Sequence, residues 1–208
     1  MSPVQIVILV AAVVGLIGLA AVAIIQAFRI PWPSGPRMTR VSALGTEVSV
    51  IDAPGSDGER LMLLDACTMA TTSIFTAWHV YRPNDASASA VFTKFGVHFI
   101  EDTLMDDIQA ALFPGQTIAS YLGNASSRFN EIPLAVVRKS LASHVIATGQ
   151  PVMHELLHAL LAHFVPDAGG NHDHKHEAWV LVQDAARTTY EDLYAPKVQL
   201  MKKPNANT

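Results

Sequence analysis

Ile6 to Ile25 is a run of twenty residues without a charged or strongly polar side chain. At 1.5 Å per residue a helix of that length spans about 30 Å, the hydrocarbon thickness of a bilayer. A surface helix of a globular domain keeps one polar face, and this run has none. The run therefore predicts one transmembrane helix. Arg29, Arg37 and Arg40 follow it, Trp32 falls where an interfacial aromatic belongs, and Pro31, Pro33 and Pro36 stop the helix. A cleaved signal peptide is the competing reading, because Ala21-Val22-Ala23 would suit a small-residue cleavage site. Against it, no Lys or Arg precedes the run, and the run is longer than a usual signal-peptide core. The expectation is an uncleaved anchor over residues 1–29 that meets the lipid bilayer through residues 6–25. Three arginines after the span and only the α-amine before it predict a single-pass protein with its C-terminal domain in the cytoplasm. Ala11, Gly15 and Gly18 are small, but no GxxxG is present to favour pairing of two spans.

With the first thirty residues set aside, the rest is an ordinary mildly acidic chain. It carries 13 Lys and Arg against 18 Asp and Glu. That charge speaks against a nucleic-acid binder working through bulk positive potential. The apolar content excludes disorder as the main state. A single cysteine, Cys67, excludes an internal disulfide framework and any CxxC metal site.

Residues 30–40, rich in proline, read as a stiff linker, and Val41–Ile51 as a first strand or part of that linker. Ser56-Asp57-Gly58-Glu59 has the form of a capping box. Leu63, Cys67, Ala70, Ile74 and Ala77 then recur at steps of three and four, which predicts an amphipathic helix over residues 58–79. Arg82-Pro83-Asn84-Asp85 breaks it. Val91–Glu101 and Ile132–Arg138 read as strands, Leu104–Phe113 as a short helix, and residues 116–130 as loop. Pro151–Phe164 is the clearest helix, with proline suited to its first turn. Residues 176–194 give another helix, and 196–208 a frayed polar tail. One α+β domain over residues 41–195 follows, a small sheet packed on the helix that begins near Pro151.

Six of the nine histidines lie between residues 154 and 176, and among them stands His154-Glu155-Leu156-Leu157-His158. Positions i and i+4 share a helix face, so both imidazoles can reach one ion. Imidazole suits Zn²⁺. Glu155 sits beside them, placed to take a proton from a metal-activated water without ligating the metal. Leu156, Leu157, Leu160 and Leu161 make the helix a buried one, so its polar face requires a reason. A structural zinc site is closed by four protein ligands, often cysteines, and only Cys67 is available. Three protein ligands with an open water position is the arrangement left. The third ligand falls to Gly169–Glu177 (GGNHDHKHE): His174, Glu177, His172 and His176 are the candidates by type and reach. His163 is rotated about 140° from His158 and is poorly placed.

Pro151–Trp179 (PVMHELLHALLAHFVPDAGGNHDHKHEAW) resembles the zincin metallopeptidases, as does the order of elements before it. The metzincin version requires Gly at 161 and His at 164, where this chain has Leu161 and Phe164. Glu177 matches the glutamate type in spacing, but Leu181 stands where its members carry an acidic residue four positions on. The small zincin-like proteins of phages and mobile elements are also similar, with H-E-x-x-H followed by a loop histidine five residues before a tryptophan. That resemblance maps onto His174 and Trp179 and makes His174 the preferred third ligand.

The resemblance implies a zincin-like fold and hydrolysis of peptide bonds, with Zn²⁺ held by His154, His158 and His174, and with Glu155 as general base. It also implies that an edge strand pairs with an extended peptide or protein substrate, and the strand at 132–138 is the expected one. Tyr190, Tyr194 and His144 are candidates by type for a group steadying the oxyanion, each with a structural role as its plainer reading. Trp78 and Trp179 are expected in the core, and Asp184, Glu191 and Asp192 on a solvated helix face. A non-catalytic zinc-binding module tethered to the membrane is the alternative function.

Overall fold

A computed structural model of the chain describes residues 30–127, 130–168 and 174–194. The expected anchor over residues 1–29 and the tail from 196 lie outside the described residues.

The first long element begins where the capping box predicts. Ser56 Oγ accepts the Glu59 N–H, and the Glu59 carboxylate accepts the Ser56 N–H at 2.7 Å. Two donors that a helix start leaves unpaired are thereby satisfied. Helix α1 then runs Asp57–Tyr81. The predicted stripe is widened: Leu63, Ala66, Cys67, Ala70, Thr71, Ser73, Ile74 and Trp78 are all buried. By length and composition α1 could cross a membrane, yet its most apolar window is 67% buried within the protein. It packs on the strand at Glu47–Ile51 and on the helices at Ala142–Thr148, Val152–Phe164 and Ala178–Leu193.

The sheet is mixed and has six strands. They are β1 (Ile30–Pro31), β2 (Arg37–Val41), β3 (Glu47–Ile51), β4 (Lys94–Ile100), β5 (Ser120–Ser127) and β6 (Asn130–Arg138), in the order β1-β5-β6-β4-β3-β2. β3, β4 and β6 are mutually parallel; β2 runs antiparallel to β3 and β5 antiparallel to β6, while β1 lies parallel to β5. Val41–Ile51 is thus not one strand. It holds the end of β2, a turn closed by the Ser42 N–H to the Thr46 carbonyl, and β3. Arg37–Val41, read above with the linker, forms an edge of the sheet.

Alternation sorts the two faces. Val48, Val50, Phe95, Val97, Phe99, Ala135 and Val137 point to one side, where α1, α4 (Ala142–Thr148), α5 (Val152–Phe164) and α6 (Ala178–Leu193) cover them. Ile51, Ile100, Leu134 and Val136 point to the other, under Met105 and Ile108 of α3 (Asp102–Leu112) and under Trp32. One more helical turn, α2 (Ala88–Val91), precedes β4.

Residues 116–130, expected as loop, contain all of β5 and the first residue of β6. Ser, Gly and Asn carry no strand signal there. β5 is specified instead by its pairing with the apolar β6, from Ser120 opposite Val137 to Ser127 opposite Asn130. β6 lies inside the sheet between β5 and β4, so 132–138 is not the expected edge; the two-residue β1 is the outermost strand there, and it leaves the first part of β5 unpaired on its outer side among the described residues. Pro133 in an interior strand is tolerated because it stands opposite Asn124, before β6 begins to pair with β4 at Leu134.

Candidate metal centre

Helix α5 divides by face. Val152, Met153, Leu156, Leu157, Leu160 and Leu161 are fully buried, and their packing holds the helix against α1 and the sheet. The opposite face presents His154, Glu155 and His158. The His154 and His158 ring centroids lie 4.9 Å apart, as i, i+4 neighbours should.

His174 arrives from the segment after α5 with φ of 55°, a left-handed backbone that histidine adopts more readily than most residues. It brings its Nε2 to 3.4 Å from His158 Nε2. The ligand nitrogens of His154, His158 and His174 all fall within 4.8 Å of one another. Two nitrogens each about 2.05 Å from a tetrahedral ion stand about 3.3 Å apart; the His158–His174 pair has that spacing, and the three rings need only a small side-chain closure to share one ion. Trp179 of α6 packs its indole against all three rings, with centroids 4.3 to 4.8 Å away. It is a wall behind the histidines, 6% exposed, as its expected core placement implied.

Glu155 is 3% exposed. Burial pushes its carboxyl up to about 7, against the lowering effect of a hydrogen bond from Ser120. Ser120 Oγ donates that bond to Oε1 at 2.5 Å. His154 is pushed the other way, to about 4, by burial and then by its two histidine neighbours. The pocket thus favours neutral imidazole at His154, the form that ligates metal.

In front of these groups lies a cleft of about 420 Å³. Its further walls come from Phe113, Gln116 and Ile118 in the segment before β5 and from Ser120, Tyr121 and Leu122 of β5. Arg138, at the end of β6, fastens that segment. Its guanidinium donates to the Ile118 and Asp102 carbonyls, to Asp106 at 2.6 Å and to Gln109.

The other sequence candidates stand elsewhere. The Glu177 carboxylate accepts the Tyr81 hydroxyl at 2.7 Å and lies outside the histidine cluster. His176 Nδ1 accepts the Ala178 N–H at the start of α6. His172 lies outside the described residues. His163 meets the Phe92 ring edge-on. Tyr190 and Tyr194 donate their hydroxyls to backbone carbonyls, of Ile146 and Met62 respectively, and neither lines the cleft. His144 is exposed on α4 beside Thr148. Asp184 and Glu191 flank Arg187 on the exposed face of α6, and Trp78 is buried in the core. Ser120, Tyr121 and Gln116 were missed, because their segment reads as loop. Only the pairing of β5 with β6 brings them opposite α5.

The site and fold together define an α+β domain with a three-histidine cluster beside a buried glutamate. No protein-family model, curated protein or solved structure matches the chain.

Proposed function

We propose that this chain is a zincin-like zinc metallopeptidase held at a membrane by residues 6–25, with its domain in the cytoplasm. The observation that carries the reading is the convergence of three histidine nitrogens beside a buried, hydrogen-bonded glutamate in an open cleft. A mixed sheet whose antiparallel strand β5 lies over the H-E-x-x-H helix is similar to the zincin arrangement and supports it.

His154, His158 and His174 would hold Zn²⁺, which when bound supplies an acidified water and polarises a carbonyl. Glu155 accepts the proton of the attacking water and returns it to the leaving amine. Its raised proton affinity suits that exchange near neutral pH. Ser120 holds Oε1, which would leave Oε2 as the oxygen to take the proton. Trp179 keeps the three rings from turning away.

β5 supplies the docking edge. The Arg138 N–H to Ala119 carbonyl bond sets the phase of its pairing with β6. In that phase the backbone N–H and C=O groups of Ser120, Leu122 and Asn124 turn outward. An extended peptide can add there as a further strand.

The test is zinc content and hydrolysis of a broad peptide library by the full chain in detergent, beside Glu155→Gln. One equivalent of zinc in both proteins, with hydrolysis only in the wild type, is expected. Bound zinc without hydrolysis by the wild type would leave a zinc-stabilised interaction module. Less than half an equivalent of zinc after dialysis would refute both.

A further inference from the structure

The segment after the apolar run is part of the sheet and is tied to the strand that borders the cleft. β1 lies parallel to β5, with Ile30 opposite Ala125 and Pro31 opposite Ser126. From there the chain crosses one face of the sheet to β2 on the opposite edge. Trp32 packs into the cluster of Ile100, Met105 and Leu134. Its indole fills the space over Gly96 in β4, where a Cβ would stand 2.8 Å from it. The Arg37 guanidinium lies 5.7 Å from the indole centroid. The Asp52 N–H bonds the Pro36 carbonyl at 2.9 Å, and a side chain at Gly35 would run into the Asp52 carboxylate. Residues 30–41 are therefore a strap bound across the domain, not a free tether.

The strap sets where the domain meets its anchor. Ala125 is five residues along β5 from Ser120, about 17 Å. Ile25, the end of the apolar run, is five residues from Ile30, and fully extended chain covers at most about 17 Å. The catalytic end of β5 thus lies within about 35 Å of the end of the apolar run, whatever the path of residues 26–29. The opposite edge, at the β2–β3 turn, is four further strand spacings away, about 19 Å across the sheet.

We infer that the β5 edge faces the bilayer and that the substrates are extended, membrane-proximal segments of other membrane-anchored proteins, cut within about ten residues of their own spans; this rests on the membrane-held peptidase reading above. β1 also limits the docking edge. In the phase given above its bonds to β5 fall on Asn124 and Ser126, which flank Ala125, so an added strand runs along Ser120–Leu122 and stops short of Asn124.

Two measurements on the full chain in phosphatidylcholine vesicles test it. The first places an environment-sensitive fluorophore at N124C or at L44C, both exposed, and quenches it with a headgroup-level quencher. Quenching at least about twofold stronger at position 124 is expected from the difference in reach. Equal or reversed quenching would overturn the placement. The second uses single-span model substrates with one cleavable segment about five or about thirty residues from the bilayer. Cleavage at least about tenfold faster at the near position is expected, with the preference lost when a ten-residue Gly/Ser insert separates Arg29 from Ile30. Equal rates with the native strap would overturn the substrate class. A soluble peptide, cut equally by native and inserted chains, separates this from the chemistry. Absence of Glu155-dependent hydrolysis of that peptide would defeat the peptidase reading, and the quenching ratio would still decide the placement.

Discussion

Glu155 concentrates the chemistry of the site, and its burial has a thermodynamic consequence. Its carboxyl titrates near 7 in the folded metal-free protein, against an ordinary value of 4.5. A raised acid favours the protonated form in the folded state. The stability it contributes is complete below about pH 4.5 and is lost as pH rises through about 7. The loss is on the order of 3 kcal/mol. Metal-free Glu155→Gln should escape it, so the variant should gain on the wild type between pH 5 and pH 8.5 in urea unfolding with a chelator present. His154, held near 4, works in the opposite sense and loses stability as pH falls below about 6.5. It cancels in the comparison, being common to both proteins. Ser120 lowers the Glu155 value. Ser120→Ala should therefore move the acid limb of the hydrolysis pH profile upward and lower kcat more than it changes KM. At this scale the sequence was informative wherever spacing alone decides. His154, Glu155 and His158 lie on one helical turn, and H-E-x-x-H states that directly. Ser120 was illegible, because its partner is 35 residues away.

Among the elements, α1 and α5 were readable from local rules, a capping box in one and an apolar face in the other. α4 gave no such signal. It is held by α6, whose Tyr190 hydroxyl donates to the Ile146 carbonyl at 2.8 Å and to the Val145 carbonyl at 3.2 Å near the end of α4. Tyr190 is fully buried and cannot exchange that partner for water. Tyr190→Phe should cost about 1 kcal/mol, read as a shift of the urea midpoint with an unchanged slope. β5 was illegible for a different reason. A strand bordering an open cleft need not bury both faces, so Ser, Gly and Asn suffice, and its order comes from β6. The same dependence hid the edge itself: the apolar β6 has the stronger strand pattern because it is interior.

For the whole molecule, the proposed metal binding would be coupled to folding, because the third histidine is brought to the other two only by the tertiary fold. At free zinc a thousandfold above the dissociation constant, binding should add about 4 kcal/mol. Chelation should then lower Tm by about 10 °C for a domain of this size. His174→Asn, which tolerates the same left-handed backbone, should remove the zinc-dependent part of Tm and leave the metal-free Tm close to that of the wild type. Calorimetry with and without chelator measures both. The strap adds a second constraint at this scale, since residues 30–41 bind the domain along its sheet and not at a flexible joint. The sequence by itself determined what depends on neighbours a few positions apart: an apolar run of bilayer length, a capped helix, and two imidazoles with a carboxyl on one turn. Tertiary structure decided that His174, preferred above only through a resemblance, stands beside them and Glu177 does not, that β6 is interior while β5 keeps an open stretch, and that a proline-rich stretch crosses the sheet. Those choices turn on contacts between residues 16 to 96 positions apart, for which local spacing carries no energy term.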